Sequence, residues 1–319
     1  MRILFVTATR VGDAVLSTGL LSHLIELYPS ARFTIAAGPE AAPLFEDVPG
    51  LERLVAMAKR RWSLHWATLY RAVLLQRWDL VVDLRASALA YLLWAGQRFV
   101  AERRDRNEHR VKQLGRIFGL DPPPAPRLWI SAAREAEAAR LLPAGGPVLA
   151  IGPAANWRAK EWRAERFAEL AARMTGPGGL FPNARVVVLA AAHERRQALP
   201  LIEAMPADRC IDLVGKVDLL TAAAALRRAA LFIGNDTGLM HLAAASGVPT
   251  LGLFGPSPIE QYAPWGPHTA TVTTATPFAE LFGPGFDHRT SDTLMDSLSV
   301  DAAEEGARRL WRRISGKAA

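Results

Sequence analysis

One unit recurs along this chain and constrains its fold more than any other feature. It is a short apolar run, then a turn of small or polar residues, then a stretch with helical spacing. Ile3-Leu4-Phe5-Val6 reads as a buried strand, Thr7 to Gly12 as a loop, and Ala14 to Leu27 as a helix. A second strand is expected over 32–37 (RFTIAA), ended by Gly38-Pro39, and a third over Leu80 to Leu84 with a helix-compatible stretch behind it. Strand, loop, helix and strand at this spacing predict a parallel sheet with covering helices.

The second half restarts the pattern. Strands are expected at 148–151, 185–190, 230–234 and 249–254, and helices over 164–174, 194–205 and 219–228. Between the halves, Asp121-Pro122-Pro123-Pro124-Ala125-Pro126 reads as a stiff, extended linker, because proline fixes its own φ and restricts its predecessor. A second linker-like stretch, Pro143 to Pro147, precedes a fresh strand, so the boundary is expected near residue 145. The predicted architecture is α/β: two Rossmann-like, doubly wound domains, 1–145 and 146–319, facing a central cleft. The final helix, 300–314, is free to pack on either half.

Composition narrows the class. Of 319 residues half are hydrophobic and 22% charged, which excludes a disordered chain. A single cysteine excludes a disulfide framework and a thiolate zinc cage. The start MRILFVTATR turns polar after a short apolar run, so no secretory signal is expected. Asp83 and Arg85 interrupt the apolar stretch 79–101, which argues against a spanning helix. A cytoplasmic protein is expected. The net charge of +7 is uneven: residues 1–145 hold 20 Lys+Arg against 14 Asp+Glu, residues 146–319 hold 18 against 17. A basic first half suits nucleic acid, anionic lipid or a phosphorylated substrate, and charge alone does not choose among them.

Candidate chemistry sits where strands end. Thr7 to Asp13 places Arg10 and Asp13 on the cleft rim, a carboxylate able to serve as general base beside a cation for phosphate. The ordinary alternative has Asp13 capping the helix and Gly12 serving the turn. Gly234 to Ala245 (GNDTGLMHLAAA) begins a helix after a strand, an anion site in which Asp236, Thr237 and Gly238 approach a pyrophosphate and His241 reaches the same ligand. A capped helix with a packed His241 is the bland reading. Gly152 to Trp162 offers Lys160 and Arg158 to a leaving phosphate and Asn156 to hydrogen-bond it, though a solvated basic loop has the same composition. Glu194 is placed to accept both hydroxyls of a ribose, or to serve only as a first-turn acid. Lys59-Arg60-Arg61 with Trp62 and Trp66 is a weaker candidate for acceptor phosphates or a membrane surface. No G-x-G-x-x-G follows the first strand, and neither a P-loop nor a G-x-S-x-G elbow is present. An Asp-x-Asp pair and a cluster of metal ligands are also missing, so no metal site is expected.

Together these pieces resemble the family-nine glycosyltransferases, the ADP-heptose:lipopolysaccharide heptosyltransferases. The matching elements are Arg10-Val11-Gly12-Asp13, the Lys160 loop ending in Trp162, Asp236-Thr237-Gly238-Leu239-Met240-His241-Leu242-Ala243, and Leu253 to Ser257. The resemblance runs in order over nearly the whole chain. It implies a GT-B architecture and inversion without a metal or other cofactor. It further implies Asp13 as base, Lys160 with the Asp236-Thr237-Gly238 helix start stabilising the departing diphosphate, Glu194 on the nucleotide ribose, and His241 and Asn156 at the donor. Arg10, Arg60 and Arg61 are expected at the acceptor. Implied partners are a nucleotide diphosphate sugar, with ADP-heptose leading, and a lipid-linked oligosaccharide acceptor. Peripheral contact with the cytoplasmic face of the inner membrane is expected and nucleic acid is not. The alternatives are a nucleotide-sugar epimerase of the same fold and a non-catalytic sugar-nucleotide binding protein. Three departures stand out: segment 274–292 has no match, the cysteine common near 291–296 is absent, and Asn156 and Trp157 stand where small hydroxyl residues are frequent.

Overall fold

Residues 3 to 6 are wholly buried in strand β1 (Arg2–Val6), as expected of an apolar run covered on both faces. The computed structural model describes residues 1–58, 64–102, 105, 107–283 and 285–316, and it divides into two units, Met1–Ser131 and Ala132–Ala319. In the first unit the chain runs from β1 through α1 (Val11–Leu27), β2 (Arg32–Ala37), β3 (Leu51–Ala56), α2 (Leu64–Val73) and β4 (Trp78–Asp83). It continues through α3 (Leu89–Leu92), β5 (Ala95–Val100) and α4 (Arg110–Arg116). The five strands form one parallel sheet in the order β3-β2-β1-β4-β5.

Helix α1 has no solvent side over most of its length: Ala14 to Ser22 and Leu24 are buried. The proline-rich segment supplies part of that cover. An added Cβ on Gly19 would fall 2.3 Å from the Pro124 carbonyl oxygen, and the Arg127 N–H donates to Thr18 Oγ1 at 3.0 Å. The stretch 121–126, expected as a linker, is therefore packed onto the helix of its own unit.

The second unit holds α5 (Ala132–Leu141), β6 (Val148–Gly152), α6 (Ala164–Thr175), β7 (Arg185–Val188), α7 (Arg195–Ala204) and β8 (Cys210–Asp212). It continues with α8 (Leu219–Leu226), β9 (Leu231–Asn235), α9 (Gly238–Ser246), β10 (Thr250–Phe254), α10 (Ile259–Tyr262), β11 (Thr269–Thr273) and α11 (Val300–Ser315). Its sheet is parallel with the order β11-β10-β9-β6-β7-β8.

The division falls between Ser131 and Ala132, ahead of the boundary expected near 145, because α5 packs on α8. Two ion pairs accompany that contact, Arg134–Asp218 at 3.3 Å and Arg227–Glu135 at 2.6 Å. Helix α11 buries Val300, Ala303, Ala307 and Leu310 in the core that also holds Trp162, Phe167, Ile233 and Leu251. The final helix thus packs on the second unit, not the first. Among the described residues no helix is long and apolar enough to cross a membrane.

Both sheets reverse their strand order beside their first strand, at β1/β4 and at β6/β9. In doubly wound sheets ligands bind beyond the carboxyl ends of the strands at such a reversal. The loops after β1 and β4 in the first sheet, and after β6 and β9 in the second, therefore occupy the ligand-binding positions of this fold.

Candidate active site

The loop after β1 is held on several sides. Thr7 Oγ1 and Ser17 Oγ share a hydrogen bond of 2.7 Å, the Thr7 N–H donates to Ala36 O at 2.8 Å, and the Gly38 N–H donates to Ala8 O at 3.2 Å. Arg10 is exposed and takes the N-cap position of α1 with φ −89° and ψ 142°; its side chain makes no cap bond. Asp13 lies within the first helical turn, half-buried, so the reading of Asp13 as the cap gives way. A negative charge there complements the helix dipole.

Gly38 is what lets this loop lie so close. A Cβ at that position would sit 2.4 Å from Thr9 O and 2.5 Å from Thr9 Cα, backbone atoms that cannot swing aside. Gly38→Ala should cost about 1–3 kcal/mol by overpacking and displace the segment bearing Arg10 and Asp13. Urea unfolding monitored by circular dichroism measures it, and an unchanged midpoint contradicts the close approach.

In the second unit, β6 and β9 run side by side with Gly152 opposite Gly234, and their following loops are stitched together by one buried side chain. Asn235 donates from Nδ2 to Pro153 O at 2.8 Å and accepts the Trp162 N–H at its Oδ1 at 3.1 Å. This brings the Lys160 loop to the start of α9. Lys160 Nζ donates to Asp236 Oδ2 at 2.6 Å, with the lysine side chain 23% and the aspartate 6% exposed. Asp236 Oδ1 is 3.8 Å from Nε2 of the buried His241. Thr237, the N-cap of α9, is extended and its side chain makes no cap bond. The first N–H groups of α9 have no acceptor within the helix, which together with the dipole makes an anion site. An ammonium has three donors, so Asp236 fixes Lys160 in place and leaves two N–H bonds for a ligand.

The other expected residues are less concentrated. Asn156 is exposed, one residue past Ala155, whose backbone is clamped by Gln197 (Ala155 N–H to Oε1, 2.9 Å; Nε2 to Ala155 O, 3.2 Å). Glu194 follows β7 as expected, but its Oε2 accepts the Ala191 N–H at 2.9 Å, closing its own turn. Arg60 and Arg61 lie outside the described residues. Arg158 does not point to a free anion site. It pairs with Glu161 at 2.6 Å and Asp292 at 2.9 Å.

Asn235 and Gln197, which position the Lys160 loop, were not singled out as functional by the sequence reading. The detectable signal for Asn235 was a polar residue closing an apolar strand. The unmatched segment proves to be tied down at its end: Arg163 bonds both Asp292 and Asp296, at 3.0 and 2.7 Å. The Thr293 N–H and then Arg163 hold the Asp292 carboxyl below its usual range, and Arg163 does the same for Asp296. Thr293 Oγ1 donates to Glu161 O at 2.6 Å, and the Leu294 N–H to Ala159 O at 3.0 Å, so the segment braces the loop that carries Lys160.

The chain is similar to known proteins over most of its length. Residues 105–281 match the model of glycosyltransferase family 9 (heptosyltransferase). The chain is 26% identical over 310 residues to lipooligosaccharide heptosyltransferase 2 of Haemophilus influenzae, covering 85% of this chain and 88% of that one. It is 27% identical to lipopolysaccharide heptosyltransferase 1 of Pseudomonas aeruginosa, covering 81% and 79%. Among solved structures, a family 9 glycosyl transferase from Veillonella parvula superposes with a TM-score of 0.78 at 21% identity, covering 98% and 97%. The Escherichia coli ADP-heptose LPS heptosyltransferase II does so at 0.75 and 20%, covering 99% and 100%.

Proposed function

The chain belongs to glycosyltransferase family 9, the heptosyltransferases, and from that premise we propose that it transfers a heptose, with inversion, from ADP-heptose to the core of a lipopolysaccharide or lipooligosaccharide. The sugar donor is suggested by a similar structure, the Escherichia coli heptosyltransferase WaaC solved with ADP-2-deoxy-2-fluoro heptose. The acceptor is suggested by the names of the curated relatives. The observation that carries the reading is the Lys160–Asp236 pair beside the uncapped start of α9.

Asp13 takes the proton from the acceptor hydroxyl as its oxygen attacks the anomeric carbon. The bond from that carbon to the diphosphate breaks on the opposite face, inverting the centre, and ADP departs with the electron pair. Charge builds on the departing diphosphate, where the Lys160 ammonium and the N–H groups at Thr237 and Gly238 meet it. Asp236 aims Lys160, His241 supports Asp236 from behind, and Glu194 and Asn156 contact the nucleoside and sugar. Arg10, with Arg60 and Arg61, attracts the anionic acceptor to the first unit. No cofactor takes part, and contact with the inner membrane is peripheral, from its cytoplasmic face. The relatives reported above carry transferase names, which does not favour an epimerase or an inert binding protein.

Incubating the protein with ADP-heptose, other nucleotide sugars and a heptose-deficient core acceptor, followed by mass spectrometry, tests this. The expected product is the acceptor plus one heptose, formed equally well in EDTA because Lys160 and α9 supply the positive charge. Interconversion of the free donor without transfer, or a requirement for added metal, counts against it.

A further inference from the structure

The loop after β4 leaves the sheet beside the loop that carries Arg10 and Asp13. Asp83 pairs with Val6 across β4 and β1, and the Leu84 N–H donates to Val6 O at 2.9 Å. The fully buried Asp83 carboxylate organises this loop. Its Oδ1 accepts the Arg85 N–H at 2.8 Å, and its Oδ2 accepts the Ser87 N–H at 2.9 Å and the Ser87 hydroxyl at 2.5 Å. Ala86 is held at φ 51°, a left-handed conformation uncommon for a residue with a Cβ. Such strain persists only where surrounding bonds over-determine it, and here the Asp83 bonds on both sides do so.

What the loop presents is the Arg85 guanidinium. It lies over the Trp66 ring, 5.1 Å from the centroid, and its Nη1 is buried without a hydrogen-bond partner. The Asp83 oxygens are spent on backbone and hydroxyl donors, and no ion pair to Arg85 occurs among the described residues. A buried donor left without a partner carries the full cost of its lost hydration, which a ligand oxygen would relieve. A planar fork of donors, stacked on an indole at the ligand end of a sheet, matches the paired oxygens of a phosphate or carboxylate.

We propose that Arg85 is an anion-recognition residue of the acceptor site, taking a phosphate or carboxylate group of the glycan through its unpaired guanidinium edge. The proposal rests on the first unit being the acceptor unit and names a chemical feature that the acceptor must carry.

Arg85→Gln and Arg85→Lys, checked for native melting, are compared with the wild type at saturating ADP-heptose. Arg85→Gln should raise the acceptor KM about tenfold, the loss expected for a charge-assisted bond. The donor KM should stay constant, and Arg85→Lys should recover part of the loss. Treating the acceptor with phosphatase removes the gap between wild type and Arg85→Gln if a phosphate is read; methyl esterification of its carboxyl groups removes it if a carboxylate is read. An unchanged acceptor KM, or a gap that survives both treatments, overturns the proposal. Titration calorimetry of the ADP-saturated proteins with inorganic phosphate and with acetate gives a readout free of turnover. One of these anions should bind the wild type several times more tightly than Arg85→Gln, and equal binding of both overturns the proposal. If phosphate or acetate still separates the two proteins while no sugar is transferred, the anion site stands and the transferase reading fails.

Discussion

Asp13→Asn lowers kcat by about 10²–10⁴-fold, the usual contribution of a positioned general base, and leaves ADP affinity at the wild-type level. The substitution keeps the shape of the side chain and removes its ability to take a proton, together with a first-turn charge whose interaction with the helix dipole is modest. The segment around it is fixed by contacts that do not involve the carboxylate: the Thr7–Ser17 bond, the Gly38 N–H to Ala8 O bond, and the burial of α1 from Ala14 onward. The fold should therefore be retained, with a urea midpoint close to that of the wild type. Nucleotide binding should be untouched because the residues proposed to hold the diphosphate, Lys160, Thr237 and Gly238, belong to the other unit. Stopped-time product assays at saturating donor and acceptor, paired with calorimetry for ADP, separate the two quantities. Near-normal turnover removes Asp13 from the base role, whereas a matching loss of ADP affinity means that the substitution acts on structure.

The inner strands were legible because they are buried on both faces and read as unbroken apolar runs; β1, β2, β4, β6, β7, β9 and β10 all correspond to expected segments. The strands β3, β5, β8 and β11 were not, and all lie toward the sheet margins. Leu51–Ala56 (LERLVA) and Ala95–Val100 (AGQRFV) are half exposed, so polar residues break up the signal. The boundary expected near 145 falls too late because α5 belongs to the second unit through its packing on α8, some eighty residues later, which nothing local shows. Composition marks 121–126 as linker-like, but whether a proline segment hangs free or packs on a helix depends on Gly19, more than a hundred residues earlier. Among the candidate residues, Asp13 of the first unit and, separately, Lys160, Asp236 and His241 of the second were visible because a polar residue just past an apolar strand is placed by topology alone. Their pairing was not. Lys160 and Asp236 are 76 residues apart, and nothing local shows that one neutralises the other, or that Arg158 spends its charge on Glu161 and Asp292.

That pairing changes what Lys160→Ala should do. Losing one preorganised donor to a developing anion costs about 2.7–4 kcal/mol, or about 10²–10³ in kcat. Here the substitution also exposes the diphosphate to the carboxylate that Lys160 had been neutralising, since Asp236 is almost fully buried at the mouth of α9. ADP affinity should therefore fall by more than the loss of one hydrogen bond. Adding Asp236→Asn to Lys160→Ala should restore part of it, because the repelling charge is removed although no cation returns. Asp236→Asn alone keeps the ammonium but frees it to swing, so it should lower kcat more than ADP binding. The pair is thus non-additive in a stated direction, with the double variant binding ADP more tightly than Lys160→Ala. Calorimetry on the four proteins measures the coupling. An unchanged ADP dissociation constant in Lys160→Ala, or strictly additive losses across the cycle, means that the lysine and aspartate serve the fold and not the departing diphosphate.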